Sequence, residues 1–472
     1  MSNELDLLWA DFATAYNTPD GYLLATTITP EPPKSDPARL HRWQRWTNAY
    51  SVQTDLRYKL QYNPNIVLEK KEASTWLDVF TAYYSFAGKL LAAEEAQKAG
   101  KRRDADWSAV YEAWKDVMSA LYRGYSNNIF AAWTIPCLYI AGKYLRVFAI
   151  KADANAASQR DSGLAFGALQ EEDAFGAASK NEKLEDAARQ INRIFALCLS
   201  DRSEVQSSRK WALYYIANLL FKTYFKLNSI SLSKNILRSL KASGSDMPPL
   251  SAFPKAHQVT FKYYSGVISF LEEDYATAEE FLVSAYEMCN IHATQNLQLI
   301  LTYLIPTKLL TSHRLPTSTL LQQTPALDRL FSPICTAIKH ADLRAFTLAL
   351  EHGEEEFVKR RIYLTLERGR DIVLRNLFRK VFLAGECEPA VTKEGEAPGP
   401  PVRRTRVPVK EFAAALRMAG AEVGDGEGGV DGDEVECLIA NGIYKNFMKG
   451  YIARERGIVV LSKGGAFPGT GV

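Results

Sequence analysis

The spacing of apolar residues changes abruptly within one short stretch near the end of this chain, and that change constrains the fold more than any other feature. From Glu434 to Phe447 the apolar positions Val435, Leu438, Ile439, Ile443 and Phe447 recur with a helical period, which predicts a helix with one buried face. Asp431, Asp433, Glu434 and Glu436 crowd its start, where negative charge suits the helix dipole. From Tyr451 onward the period is two. Tyr451, Ala453 and Glu455 alternate with Ile452, Arg454 and Arg456; Gly457 interrupts; Ile458 to Leu461 form a second β-rich run. That order predicts a hairpin with a glycine-containing turn.

A helix leading directly into a two-stranded hairpin is the second half of a winged helix, and Val409 to Met418 supplies an upstream helix of suitable length. Everything before it reads as helical. Residues 1–151 hold an amphipathic start (Leu5, Leu8, Trp9, Phe12, Tyr16), a proline-rich loop, and helices marked by Trp76, Val79, Phe80, Tyr83, Phe86 and Leu90 and by Val110, Trp114, Val117 and Leu121. Residues 152–180 carry few large apolar groups and are expected to be a mobile insertion or linker. Residues 181–356 read as helical hairpins. Ser208 to Phe225 turns back through Ile230 to Leu240, and a second unit turns at Asp274-Tyr275, with Gly266, Ala278 and Ala285 letting its helices approach closely. Their uneven spacing makes this a degenerate tetratricopeptide-like array. Residues 357–383 are expected to be one long helix leading into the winged-helix subdomain, so that 357–468 form one region and 469–472 a tail. Residues 384–401 and 420–432 read as Pro/Gly/Glu-rich and Gly-rich loops. The fold class is therefore all-α with a small β element.

Composition bounds the function. Apolar content of 47% and charged content of 24% fit an ordinary globular protein, and a net charge of +3 is too small by itself to argue for nucleic acid. The six cysteines are scattered without a CxxC pair, and most of them sit in helical apolar runs that suit small core residues in a reducing compartment. No 18-residue apolar stretch exists and the N-terminus is acidic, unlike a signal peptide, so an intracellular protein with no membrane role is expected.

The residues Gly21-Tyr22-Leu23-Leu24, Tyr263-Tyr264-Ser265-Gly266, Asp274-Tyr275 with Ala278 and Glu280, and above all Asp433 to Cys437, Ile443 to Lys445, Lys449 to Ile452 and Val459 to Lys463, closing on Phe467-Pro468, resemble a PCI domain. More narrowly, the chain resembles the signalosome-subunit-twelve-like family, which includes the PCI subunit of the nuclear transcription-and-mRNA-export (TREX-type) complex. The resemblance implies a non-catalytic nuclear scaffold without cofactor. It implies a winged helix paired with that of a larger PCI-domain partner of the mRNA export or splicing-linked branch. It further implies a small acidic Sem/Dss-type proteasome-associated protein on that partner, and a basic platform for RNA, or DNA. The alternative is a scaffold of the signalosome or a proteasome-lid-like complex without nucleic-acid binding.

Candidate phosphate contacts are the basic residues around the winged helix: Arg403, Arg404, Arg406, Lys410, Lys445, Lys449, Arg454, Arg456 and Lys463. Residues 357–380 hold eight more Lys or Arg (Lys359, Arg360, Arg361, Arg368, Arg370, Arg375, Arg379 and Lys380) against Glu367 and Asp371, and Arg361, Arg368, Arg375 and Arg379 read as a stripe. A solvated face is the plainer account of that run. Tyr451, Ile452, Val459 and Val460 are candidates for the partner interface; for Tyr451 and Ile452, packing on the winged-helix core is the competing reading. The six histidines make no HExxH, and no GxSxG or Walker-type loop occurs; Gly424 to Gly429 is acidic and follows no strand, so it reads as a loop. A hydrolase with an unrecognised site is the third and weakest class.

Overall fold

A computed structural model describes residues 6–62, 65–66, 68–100, 105–163, 181–388, 402–420 and 432–468. The chain forms two compact units, Met1–Tyr264 and Ser265–Val472.

The first unit is helical and built on aromatic packing. Helices α1 (Asp6–Asn17), α2 (Gly21–Thr27), α3 (Arg39–Trp46), α4 (Val52–Tyr62), α5 (Lys70–Lys98), α6 (Trp107–Ser126) and α7 (Pro136–Gly163) follow in order. Trp9 lies 5.3 Å from Phe80 and 6.1 Å from Trp43, and Phe12 meets Trp76 edge-on at 5.4 Å, so α1 is clamped between α3 and α5. Asp20 caps α2 by accepting from the Tyr22 and Leu23 amides. A Cβ on Gly21 would fall 2.0 Å from the Trp133 carbonyl, so this turn requires glycine. Helix α7 runs to Gly163. The first part of the expected linker, 152–163, is therefore helix, because Ala-rich sequence extends a helix already nucleated by packing; residues 164–180 lie outside the described residues. Helices α8 (Glu182–Leu199), α9 (Leu213–Lys226) and α10 (Ile230–Ala242) complete this unit, and α11 (Lys255–Leu271) crosses into the second.

The second unit continues as hairpins: α12 (Tyr275–Met288), α13 (Thr294–Thr311), α14 (Ser318–Gln322), α15 (Pro325–His340) and α16 (Leu343–His352). A Cβ on Gly266 would come within 2.7 Å of Leu282, which is the close helix approach its sequence anticipates. Asp274 caps α12 through the Thr277 amide.

The expected long helix over 357–383 is instead three: α17 (Glu354–Lys359), α18 (Tyr363–Glu367) and α19 (Arg370–Ala384). The first break is a Schellman turn. Arg361 takes a left-handed backbone (φ 58°), its amide donates to the Val358 carbonyl, and the Ile362 amide donates to Phe357, with both Ile362 and Phe357 buried. Burying Ile362 against this core outweighs the cost of a non-glycine left-handed residue. The second break falls at Gly369, where a Cβ would sit 2.8 Å from the Leu366 carbonyl and 3.1 Å from Leu309. The arginine stripe disappears with the helix. Arg375 is buried and donates to Asn376 (2.7 Å) and the Pro468 carbonyl (2.9 Å), while Arg368 pairs with Glu273 at 2.9 Å.

After α19 come β1 (Cys387–Glu388), β2 (Val402–Arg403), β3 (Arg406–Pro408), α20 (Val409–Met418), α21 (Gly432–Tyr444), β4 (Gly450–Ala453) and β5 (Ile458–Leu461). Helix α19 is the first helix of the winged helix. Its wing is a three-stranded antiparallel sheet in the order β3-β5-β4, one strand more than the expected hairpin. Gly457 turns the wing with φ 60°. The core under the sheet is Phe378, Val407, Phe412, Leu416, Val435, Ile439, Met448, Val459 and Leu461. The loops expected over 384–401 and 420–432 lie largely outside the described residues, as does the tail 469–472.

Candidate nucleic-acid and partner interface

Strand register decides which wing residues can act. Val459 pairs with Val407 and Ile452, and this row points into the core; Val459 is fully buried. Val460 pairs with Arg406 and Tyr451, and this row points outward. Of the four expected interface residues, Val459 is therefore core, Ile452 lies on its row and is half-buried, and Tyr451 and Val460 face away from the core. Tyr451 is 63% exposed, which corrects the competing core reading for it. Pro408, Ala453 and Ile458 share the outer face, and sequence reasoning missed them. The two-residue period within Ile458-Val459-Val460-Leu461 was the signal that separates Val460 from Val459.

The same register sorts the cations. The Leu461 amide donates to Thr405, Ser462 donates to the Lys449 carbonyl, and Lys449 donates to Ala466. Arg404, Lys449 and Lys463 thus gather at one end of the sheet, with Arg406 next to them on the outer face. The Val409 amide donates to the Gly457 carbonyl, which brings Lys410 beside the wing turn carrying Arg454 and Arg456 at the other end. Strands four residues long separate the two groups by about 10 Å. Arg406, Lys410, Lys449, Arg456 and Lys463 are exposed and Arg404 half-buried; among the described residues none of the six forms an ion pair.

Three expected contacts are otherwise engaged. Arg454 binds Asp433 at 2.6 Å and Glu436 at 3.5 Å, Lys445 binds Asp371 at 2.5 Å, and Arg403 donates to the Leu383 carbonyl. The acids that open α21 are thus the partners of the wing arginine, a pairing of residues 18 and more positions apart that periodicity does not reveal. In a groove-reading winged helix, the helix before the wing would carry the base contacts. Here the exposed positions of α21 include Asp433, Glu434, Cys437, Asn441 and Tyr444, with no cation.

The segment after the wing is pinned to α19. Arg375 lies 5.9 Å from the Phe467 ring, and His313 meets Phe447 edge-on at 5.1 Å. Burial, with a further contribution from Arg375, lowers the His313 pKa. Among the described residues no three His, Cys, Asp or Glu side chains are placed to hold a metal ion, and no helix is long and apolar enough to cross a membrane.

The PCI domain family matches residues 349–463, from the end of α16 through the wing. The chain is 52% identical to the "Protein CSN12 homolog" of Neurospora crassa, over 99% of this chain and 100% of that one. The "Protein CSN12 homolog" of Schizosaccharomyces pombe is 38% identical over 78% of this chain and 79% of its own. "PCI domain-containing protein 2" of Xenopus laevis is 31% identical over 77% and 80%.

Proposed function

Because the chain belongs to the CSN12-like family of PCI-domain proteins, we propose that it is a non-catalytic scaffold whose winged helix pairs with a larger PCI-domain protein and lends cations to a nucleic-acid platform. The observation that carries the reading is the outward row of the sheet. Arg406, Val460 and Tyr451 lie side by side on a face that the protein's own core does not use, with cations at both ends that form no ion pair among the described residues. An apolar strip with an exposed tyrosine suits a protein partner, and the flanking cations suit phosphates. On this reading the partner belongs to the mRNA export or splicing-linked branch and carries a small acidic Sem/Dss-type protein. The assembly works in the nucleus, coupling transcription to mRNA processing and export.

The test is co-purification with the tagged chain, comparing wild type with Tyr451→Glu/Val460→Glu. Recovery of a PCI-domain partner and mRNA-processing factors by wild type, lost in the double variant, is expected. Partner recovery unchanged in the variant refutes the sheet face as the interface.

A second reading has specific support. The ion-paired Arg454 and Lys445 and the cation-free exposed face of α21 favour a signalosome-like scaffold with no nucleic-acid role. Co-purification of signalosome subunits without mRNA-processing factors decides for it.

A further inference from the structure

We infer that the outward face of α4, in the first unit, is a stacking site for single-stranded RNA. The feature is a concentration of surface aromatics. Among the described residues the largely exposed aromatic side chains are all tyrosines, six in number, and three of them, Tyr50, Tyr58 and Tyr62, fall within 13 residues. Tyr58 and Tyr62 are 66% and 70% exposed, with ring centroids 5.5 Å apart. Tyr50 is fully exposed on a turn fixed by Asn48, whose side chain accepts from the amides of Tyr50 and Ser51.

These rings do not hold the helix in place. Val52, Leu56 and Leu60 form the buried face of α4 and anchor it to α5, so the tyrosines are free of that task. The rings spaced four residues apart support each other slightly along the helix, which does not require them to keep most of their surface in water.

Charge selects the occupant. Arg57 and Lys59 flank Tyr58 in sequence, and the exposed Lys70 and Lys71 open α5, the next helix along the chain. The acids in residues 50–72 are Asp55, Glu69 and Glu72; Asp55 accepts a hydrogen bond from Thr47 and Glu72 one from Tyr16. Aromatic faces interleaved with cations match a strand that offers unpaired bases and phosphates together. An apolar protein segment would leave the cations without partners, and duplex nucleic acid would leave the rings without bases to stack on.

The site is separate from the winged helix, and the test keeps the two apart. Fluorescein-labelled 20-mer oligouridine is titrated with the full chain in an anisotropy assay at low and moderate salt. Tyr58→Ala/Tyr62→Ala is expected to weaken binding about tenfold or more with little change in salt slope, because stacking carries no counterion release. Tyr58→Phe/Tyr62→Phe keeps the binding, since the ring and not the hydroxyl is needed. Arg57→Glu/Lys70→Glu weakens binding and flattens the salt dependence. Unchanged affinity in the double alanine variant overturns the inference. So does equal loss in the phenylalanine variant, or an unchanged affinity accompanied by loss of a co-purifying protein. If Lys449→Glu/Lys463→Glu alone abolishes binding, the winged-helix platform stands and this site falls; the reverse pattern removes the platform and keeps this site. A wild-type chain that does not bind the probe overturns both.

Discussion

Val459 and Val460 are neighbours with opposite duties, and truncating each in turn tests the register on which the interface rests. Val459→Ala removes two buried methyl groups, worth about 1.6 kcal/mol at about 0.8 kcal/mol each. The cavity left between Val407 and Ile452 adds to that, for a total of about 2 kcal/mol or more. With a urea slope of about 2 kcal/mol/M the midpoint falls by about 1 M. Val460→Ala acts at the sheet surface and is expected to stay within about 0.5 kcal/mol of wild type. All eight tryptophans lie in Met1–Tyr264, so tryptophan fluorescence follows the first unit. The winged helix is followed by hydrogen–deuterium exchange of peptides covering Arg406–Leu461 across a urea series. The Val459 variant lowers protection there and leaves the tryptophan transition in place. Equal losses in the two variants, or a Val459→Ala effect below about 0.5 kcal/mol, would refute the assigned register.

Three further outcomes follow from the same geometry. Asp433→Asn/Glu436→Gln frees Arg454; because the Arg454–Asp433 pair is largely exposed, stability changes by less than about 1 kcal/mol. If the wing turn contacts phosphate, oligonucleotide affinity rises, and an unchanged anisotropy titration removes Arg454 from the platform. Gly450→Ala puts a Cβ 2.4 Å from the Val460 carbonyl, so β4 must part from β5; partner recovery is expected to drop together with protection of the wing, and an intact wing by exchange would contradict the packing. Burial alone would raise the pKa of Asp201, but hydrogen bonds from Arg209 and Ser203 outweigh it and hold the carboxyl well below its usual range. A carboxylate with a lowered folded pKa contributes stability above its unfolded value, about 4, and that contribution fades as pH falls toward the folded value. Asp201→Asn therefore costs about 3 kcal/mol at neutral pH and flattens the acid limb of the tryptophan-monitored unfolding curve; an unaltered acid limb would refute this role.

The sequence by itself determined the local periods, and these carried the fold class. The switch from helical to alternating spacing at Tyr451, the turn at Gly457, the hairpin around Asp274 and the small residue at Gly266 are all short-range signals, and each stands in the structure, except that the alternation expected as far as Arg456 ends at Ala453, where Arg454–Arg456 coil into a 3-10 turn before Gly457. What tertiary structure decided were the contacts between segments distant in sequence. Residues 357–383 have the apolar spacing of one helix, yet burial of Ile362 and the tight passage at Gly369 divide it, because a buried side chain outweighs local propensity. Arg375 reads as one member of a surface stripe, and only the return of Phe467-Pro468 across α19 makes it interior. The wing cations look alike in sequence. Their fates were set by Asp433, Glu436, Asp371 and the Leu383 carbonyl, which folding brings to some of them and not to others, since ion pairing depends on distance in space and not on distance along the chain.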